Sequence, residues 1–293
     1  MAPGAVASPA ASRPAVQPSG GALGVIAGAG ALPRLIAEAC RADGRRYVVC
    51  AFEGAAPDWI AAHPHAVQPF EKPGALFAAL RRAGADRVTF AGGMARPKLR
   101  PLAFDITALR LAPAILPLLK KGDDALLGGL AAVLEREGFA LVAPHDAARG
   151  LLAPAGDMAA RRAAPQELAD VARAAALVAM IGAEDVGQGA VVSGGLCLGL
   201  ETLQGTDALI DFVGRTPEAL RAGGFAPVLF KGPKPGQDWR VDLPAIGPDT
   251  LRRAGEAGFA GVAVRAGGVL VLGREATAAA ADAAGLFLHG WAP

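Results

Sequence analysis

The chain has 293 residues, 53% of them hydrophobic and 19% charged, which gives ample apolar mass for a core and excludes a disordered polypeptide. Twenty-nine basic and 27 acidic residues leave a net charge of +2, without the basic excess of a general nucleic-acid binder, so no nucleic-acid partner is expected. Its most apolar runs, 111–119 and 174–182, fall short of the roughly 18 residues a spanning helix needs.

Residues 1–20, rich in Ala, Pro and Ser with one charge at Arg13, read as a disordered leader. Residues 22–27 form a short apolar strand that enters the turn Gly28-Ala29-Gly30, and a helix over 31–42 follows. Strands are expected at 47–52, 87–91 and 139–143, with helices at 74–83 and 123–137. This alternation predicts an α/β fold beginning with a Rossmann-like parallel-sheet domain over 21–155, with ligands at the carboxyl ends of its strands. Residues 152–164 read as a linker.

The rhythm then changes. A helix over 166–181 precedes a hairpin, 190–192 and 196–201, turning at Ser193-Gly194-Gly195. A second hairpin is expected from 261–265 and 269–272 across Ala266-Gly267-Gly268. A strand over 227–230 and helices at 217–222, 249–256 and 276–284 complete a C-terminal α+β domain over 165–293, expected to be the catalytic one. Cys40, Cys50 and Cys197 form no CxxC pair and sit in apolar runs, so all three read as core thiols in a reducing, cytoplasmic setting.

Four clusters can carry chemistry. The Gly28–Gly30 turn suits a phosphate at a helix start, but Pro33 stands where a dinucleotide fingerprint has a small residue. A plain turn, a nicotinamide or flavin site and another phosphate ligand all remain open there. In Lys121-Gly122-Asp123-Asp124, the aspartates suit a helix cap or a hydroxylated or metal-bound ligand. Asp185 and Gln188, with Glu201, Thr206 and Asp207 downstream, either close turns (Thr206 capping the next helix) or flank a site. The densest cluster is the segment from Lys231 through Lys234, Gln237, Asp238 and Arg240 to Asp242 and Pro244. Pro233, Pro235 and Pro244 stiffen it, its cations suit phosphate oxygens, and its carboxylates suit magnesium. Of the histidines, His63, His65 and His289 lack a nearby third ligand, and His145-Asp146 reads as a turn after a strand.

The ordered motifs IAGAGALP (26–33), AGGMARP (91–97), KGDDALL (121–127), DVGQGAVV (185–192), E…GTD (201–207), KGPKPGQDWRVDLPAIG (231–247) and GVAVRAGGVLVL (261–272) resemble the UDP-2,3-diacylglucosamine pyrophosphatases unrelated to metallophosphoesterases. The resemblance runs from about residue 21 to 290, and the DxH and GNH[DE] patterns of the metallophosphoesterase type are absent. It implies hydrolysis of the substrate to UMP and 2,3-diacylglucosamine 1-phosphate (lipid X) in lipid A synthesis. It also implies a dependence on Mg2+ or another divalent ion such as Mn2+, water attacking the sugar-side phosphorus, and a homodimer. A bilayer-embedded substrate adds peripheral contact with the inner membrane.

On that resemblance Asp242 is the most sensitive catalytic residue and Asp238 the second, with Arg240 and Lys234 neutralising charge and Asp242 and Asp185 offered to the metal. Gly28, Gly30, Lys121, Asp123, Asp124, Gln188, Thr206, Asp207, Lys231 and Gln237 are the expected substrate contacts, and residues 109–119 a candidate groove for acyl chains. Two other functions compete: a nicotinamide or flavin oxidoreductase resting on the Gly28–Gly30 turn, and a non-catalytic nucleotide- or lipid-binding module.

Overall fold

Short apolar runs alternating with amphipathic segments build, in the computed structural model, a parallel sheet followed by a second, mixed one. The structure describes residues 20–93, 100–118, 123–221 and 224–292. The expected leader (apart from Gly20), Lys121 and the 94–97 portion of the AGGMARP motif lie outside the described residues.

The first half runs β1 (Ala22–Ala27), α1 (Leu32–Ala42), β2 (Tyr47–Phe52), β3 (His65–Gln68), α2 (Pro73–Arg82), β4 (Ala85–Ala91), α3 (Ile106–Ile115), α4 (Asp123–Arg136), β5 (Ala140–Leu141) and α5 (Pro144–Ala147). Its strands pair in parallel in the order β3-β2-β1-β4-β5. β1 is buried at every residue, and alternation along it divides two cores. Ala22 and Ile26 pack with Leu76 and Leu80 of α2 and Leu134 of α4. Leu23 and Val25 pack on the other face with Ile36 and Cys40 of α1. Strand order reverses between β1 and β4, the switch point at which such sheets bind ligands.

The second half runs β6 (Gly156–Asp157), α6 (Pro165–Ala183), β7 (Gly189–Ser193), β8 (Leu196–Leu200), α7 (Gly205–Gly214), β9 (Val228–Lys231), β10 (Ala245–Ile246), α8 (Pro248–Glu256), β11 (Gly261–Arg265), β12 (Leu270–Val271), α9 (Arg274–Ala283) and β13 (Phe287–Trp291). Six strands form a sheet ordered β6-β13-β11-β9-β7-β8, with β13, β11 and β9 mutually parallel. The first expected hairpin forms as β7 and β8, and the Asp170 carboxylate accepts from the Gly194 and Gly195 amides at its turn, both at 2.8 Å.

Several expectations are corrected. The second hairpin does not form: β11 is flanked on both sides by β9 and β13, so no edge remains, and β12 pairs in parallel with β10 instead. Residues 152–164 are no free linker, because Ala153 is buried and β6 adds antiparallel to β13. In place of the helix expected over 217–222 there is one short 3-10 turn, Glu218–Leu220. Cys40 and Cys50 are buried as expected, whereas Cys197 is exposed on β8. β3, α3 and β10 have no counterpart among the expected elements.

The two halves meet through the segment between β9 and β10. Leu243 is buried with Leu23, Ile36 and Val142 of the first half, and Val241 packs against the α2–α4 core. Asp242 lies between these two anchors in the chain.

Candidate active site

Backbone hydrogen bonds set the turn that presents Asp242. The Asp238 carbonyl accepts from the Val241 amide at 3.0 Å and the Asp242 amide at 3.2 Å, so residues 238–242 close a helical turn. Gln237 then joins its ends: its Nε2 donates to Asp242 Oδ2 at 2.7 Å, and its Oε1 accepts from the Lys234 amide at 3.1 Å. Lys234 Nζ donates to Asp185 Oδ1 at 2.6 Å. Four of the expected residues, Asp185, Lys234, Gln237 and Asp242, thus form one connected network.

Asp185 sits just beyond the C-cap of α6 with φ of +55°, a left-handed position where glycine is the usual residue. An aspartate tolerates that conformation, and here it reaches Lys234.

Asp238 and Arg240 hold one another. Arg240 Nη2 and Nε donate to the two Asp238 oxygens at 2.7 and 3.0 Å, and Arg240 Nη1 donates to Glu135 Oε1 on α4 at 2.9 Å. The hydrogen bonds from Arg240 hold the Asp238 carboxyl below the usual range. Arg240 therefore bridges two carboxylates across the junction, and Asp238 shapes the turn. Glu135 carries no signal in the sequence that marks it for this contact.

A second polar group lies at the end of β9. Lys231 is 7% exposed; its Nζ donates to Thr206 Oγ1 at 2.6 Å and stands 3.8 Å from Glu201 Oε1. Thr206 does not cap α7, whose N-cap is Gln204. Among the described residues, Glu201 Oε2 and Gln188 Oε1 are buried acceptors without a donor. A Cβ on Gly189 would come within 2.3 Å of Glu201 Oε2, which accounts for a glycine there. Asp207 is exposed and faces Arg253 Nε at 3.7 Å, apart from this group.

At the switch point the Gly28–Gly30 turn lies against Gly92-Gly93. The Ala29 amide donates to the Gly93 carbonyl at 2.8 Å, and a Cβ on Gly28 would stand 2.5 Å from that oxygen. Close backbone packing therefore accounts for Gly28 without a cofactor. Gly30 is exposed, and α1 begins without a side-chain cap, leaving its first amides for an anion.

Between these parts lies an apolar cavity of about 570 Å³. Phe77 and Leu76 of α2, Leu111 and Ile115 of α3, and Leu127 and Leu130 of α4 contribute to its wall, as do Gly92, Gly93, Val241 and Asp242. Of the 109–119 stretch expected as an acyl groove, Leu111, Ala112, Ile115 and Leu116 line this cavity, on and just after α3. Glu71 also lines it, held down to about 2 by its hydrogen bonds from Arg100, with Arg100 Nε at 2.8 Å. Glu71 and Arg100 had no distinguishing sequence signal either. Asp123 begins α4, while the side chains of Asp123 and Asp124 lie outside the described residues.

Among the described residues no three His, Cys, Asp or Glu side chains converge as a metal cage, and Asp185 is engaged by Lys234. His289 pairs with Asp157 at 2.7 Å across β13 and β6, as a sheet contact. No helix among the described residues is long and apolar enough to cross a membrane.

Comparison with known proteins matches the same parts. The LpxI N-terminal domain matches residues 22–151 and the LpxI C-terminal domain residues 154–289. The UDP-2,3-diacylglucosamine pyrophosphatase LpxI of Caulobacter vibrioides is 42% identical over 273 residues, covering 92% of this chain and 98% of that protein. With both of its halves matched in order and a relative aligned along nearly its whole length, this chain belongs to the LpxI family.

Proposed function

We propose that the protein hydrolyses the pyrophosphate of UDP-2,3-diacylglucosamine, giving UMP and 2,3-diacylglucosamine 1-phosphate for lipid A synthesis, the activity in its relative's name. The observation that carries this reading is the contact between the apolar cavity and Asp242: a space for acyl chains shares its wall with the carboxylate of the lysine-rich segment. Family membership sets aside the oxidoreductase alternative.

In this reading the two sheets are two domains, residues 21–155 and 165–293, and the substrate lies between them. Acyl chains enter the cavity, and each buried methylene contributes about 0.8 kcal/mol. The pyrophosphate lies toward Lys231 and Lys234, whose ammonium charges neutralise its oxygens. Asp242 orients the attacking water and accepts its proton, and Gln237 fixes the rotamer by donating to Oδ2. The water oxygen bonds to the sugar-side phosphorus, the bond from that phosphorus to the bridging oxygen breaks, and that oxygen leaves with UMP. Of the described carboxylates, Asp242 at the cavity wall would be the one to hold a divalent ion brought with the substrate. When bound, such an ion supplies charge neutralisation on the phosphate oxygens. Asp185, the other carboxylate expected at the ion, accepts from Lys234 Nζ. A homodimer and a cytoplasmic enzyme touching the inner membrane complete the proposal.

The test is hydrolysis of UDP-2,3-diacylglucosamine by the purified chain in 18O-labelled water with magnesium or manganese. Release of UMP, with the label in the sugar phosphate, is expected. Binding without turnover under either metal would instead favour the binding-module alternative.

A further inference from the structure

We propose that Glu135 is a positioning residue for the reaction: through Arg240 it holds the Asp242 turn in register with the wall of the acyl cavity. The inference rests on the pyrophosphatase reading and adds how a diacyl lipid is aligned for attack. Leu126, Leu130, Val133 and Leu134 place one face of α4 in the cavity wall. Glu135 is the next residue of that helix, and its Oε1 accepts from Arg240 Nη1 at 2.9 Å. On the other side of the bond, Val241 and Asp242 follow Arg240 directly in the chain, and both line the same cavity. The bond therefore joins two parts of one wall, the helix that grips the lipid and the turn that carries the water-orienting carboxylate.

Arg240 is built to transmit that position. Its Nε and Nη2 donate to Asp238, and its amide donates to Asp238 Oδ1 at 3.0 Å. The Asp238 carbonyl closes the turn on the Val241 and Asp242 amides. A guanidinium gives such bonds a fixed planar geometry. Val241 and Leu243 add apolar contacts at the same junction, but these are non-directional and do not set a register. A lipid anchored by its chains moves with α4, so the distance from Asp242 to the sugar-side phosphorus follows the link between α4 and the turn. A substrate without acyl chains has no such anchor, and its alignment is independent of Glu135. Both side chains of the pair are nearly half exposed, so it adds little to stability.

Steady-state hydrolysis of UDP-2,3-diacylglucosamine and of its deacylated analogue by the full chain tests the proposal. In Glu135→Gln, kcat for the diacyl substrate falls about tenfold, with KM within about twofold and the melting temperature within about 2 °C of the parent's. The kcat for the deacylated analogue stays at the parent's value. In an Arg240→Gln background, Glu135→Gln lowers kcat by less than about twofold further, because the carboxylate acts through the guanidinium. An equal loss on both substrates would mark a merely structural contact, and a full additional loss in the Arg240→Gln background would show that Glu135 does not act through Arg240. Either overturns the proposal. A parent that hydrolyses the diacyl substrate beside an unaffected Glu135→Gln variant would overturn the role of Glu135 alone, whereas a parent without turnover would overturn the pyrophosphatase reading with it.

Discussion

Replacement of Lys231 by Met keeps most of the aliphatic stem and removes a buried charge. The ammonium lies 3.8 Å from Glu201 Oε1, and the two side chains are 9% and 8% exposed. At an effective dielectric of about 20, such a pair attracts by roughly 4 kcal/mol before desolvation is counted. Lys231→Met leaves Glu201 as a buried carboxylate whose other oxygen already lacks a donor among the described residues. Removing one partner of a buried pair costs about 3–5 kcal/mol, which for a chain of this size lowers the melting temperature by roughly 6–10 °C. Glu201→Gln added to Lys231→Met removes the stranded charge and recovers more than half of that loss. Thermal unfolding of the parent, both single variants and the double variant forms the cycle that measures it. A shift under about 2 °C for Lys231→Met, or a double variant no better than the single, would refute the reasoning. If the double variant is stable but inactive, the ammonium also acts on the substrate.

Three further outcomes are expected. Gln237→Leu frees Asp242 Oδ2 and the Lys234 amide from one bridging side chain, so kcat falls about 10–100-fold with little change in KM, each lost bond being worth about 1–3 kcal/mol; steady-state kinetics read this split, and an unchanged kcat would contradict it. The Glu71 carboxyl is held at about 2 in the folded state, below its ordinary value of 4.5, so it contributes stability above pH 4.5 that is lost as pH falls toward 2. The melting temperature of Glu71→Gln should therefore lie below the parent's at neutral pH and converge with it in acid, and a gap that persists in acid would contradict the sign. Leu130→Lys places a charge in the cavity wall and should lower kcat/KM by about 100-fold or more for the diacyl substrate, equivalent to losing four buried methylenes, while a deacylated analogue is affected less.

The first sheet is legible because β1 is wholly apolar and bounded by a glycine turn, which leaves few alternatives to a central parallel strand. β12 is not legible: a glycine turn after β11 suggests a hairpin locally, and only the distant strand β13 shows that the edge is taken. α3 was hidden by Pro101, Pro113 and Pro117, which make an apolar segment read as loop, and by a groove whose far wall comes from other helices. In the candidate site, prolines and alternating charges exposed the 231–244 segment. The same pattern ranked Asp238 beside Asp242, although Arg240 binds the first and Gln237 the second. Glu135 and Glu71 look like ordinary helix and loop carboxylates until the fold brings Arg240 and Arg100 to them.

The most direct test of the account is turnover of UDP-2,3-diacylglucosamine by Asp242→Asn with magnesium present. The substitution keeps an oxygen for Gln237 and removes the base, so the account predicts kcat about 10²–10⁴-fold below the parent's, with an unchanged melting temperature and substrate still bound. A variant within about tenfold of the parent in kcat would contradict Asp242 as the group that orients and deprotonates water.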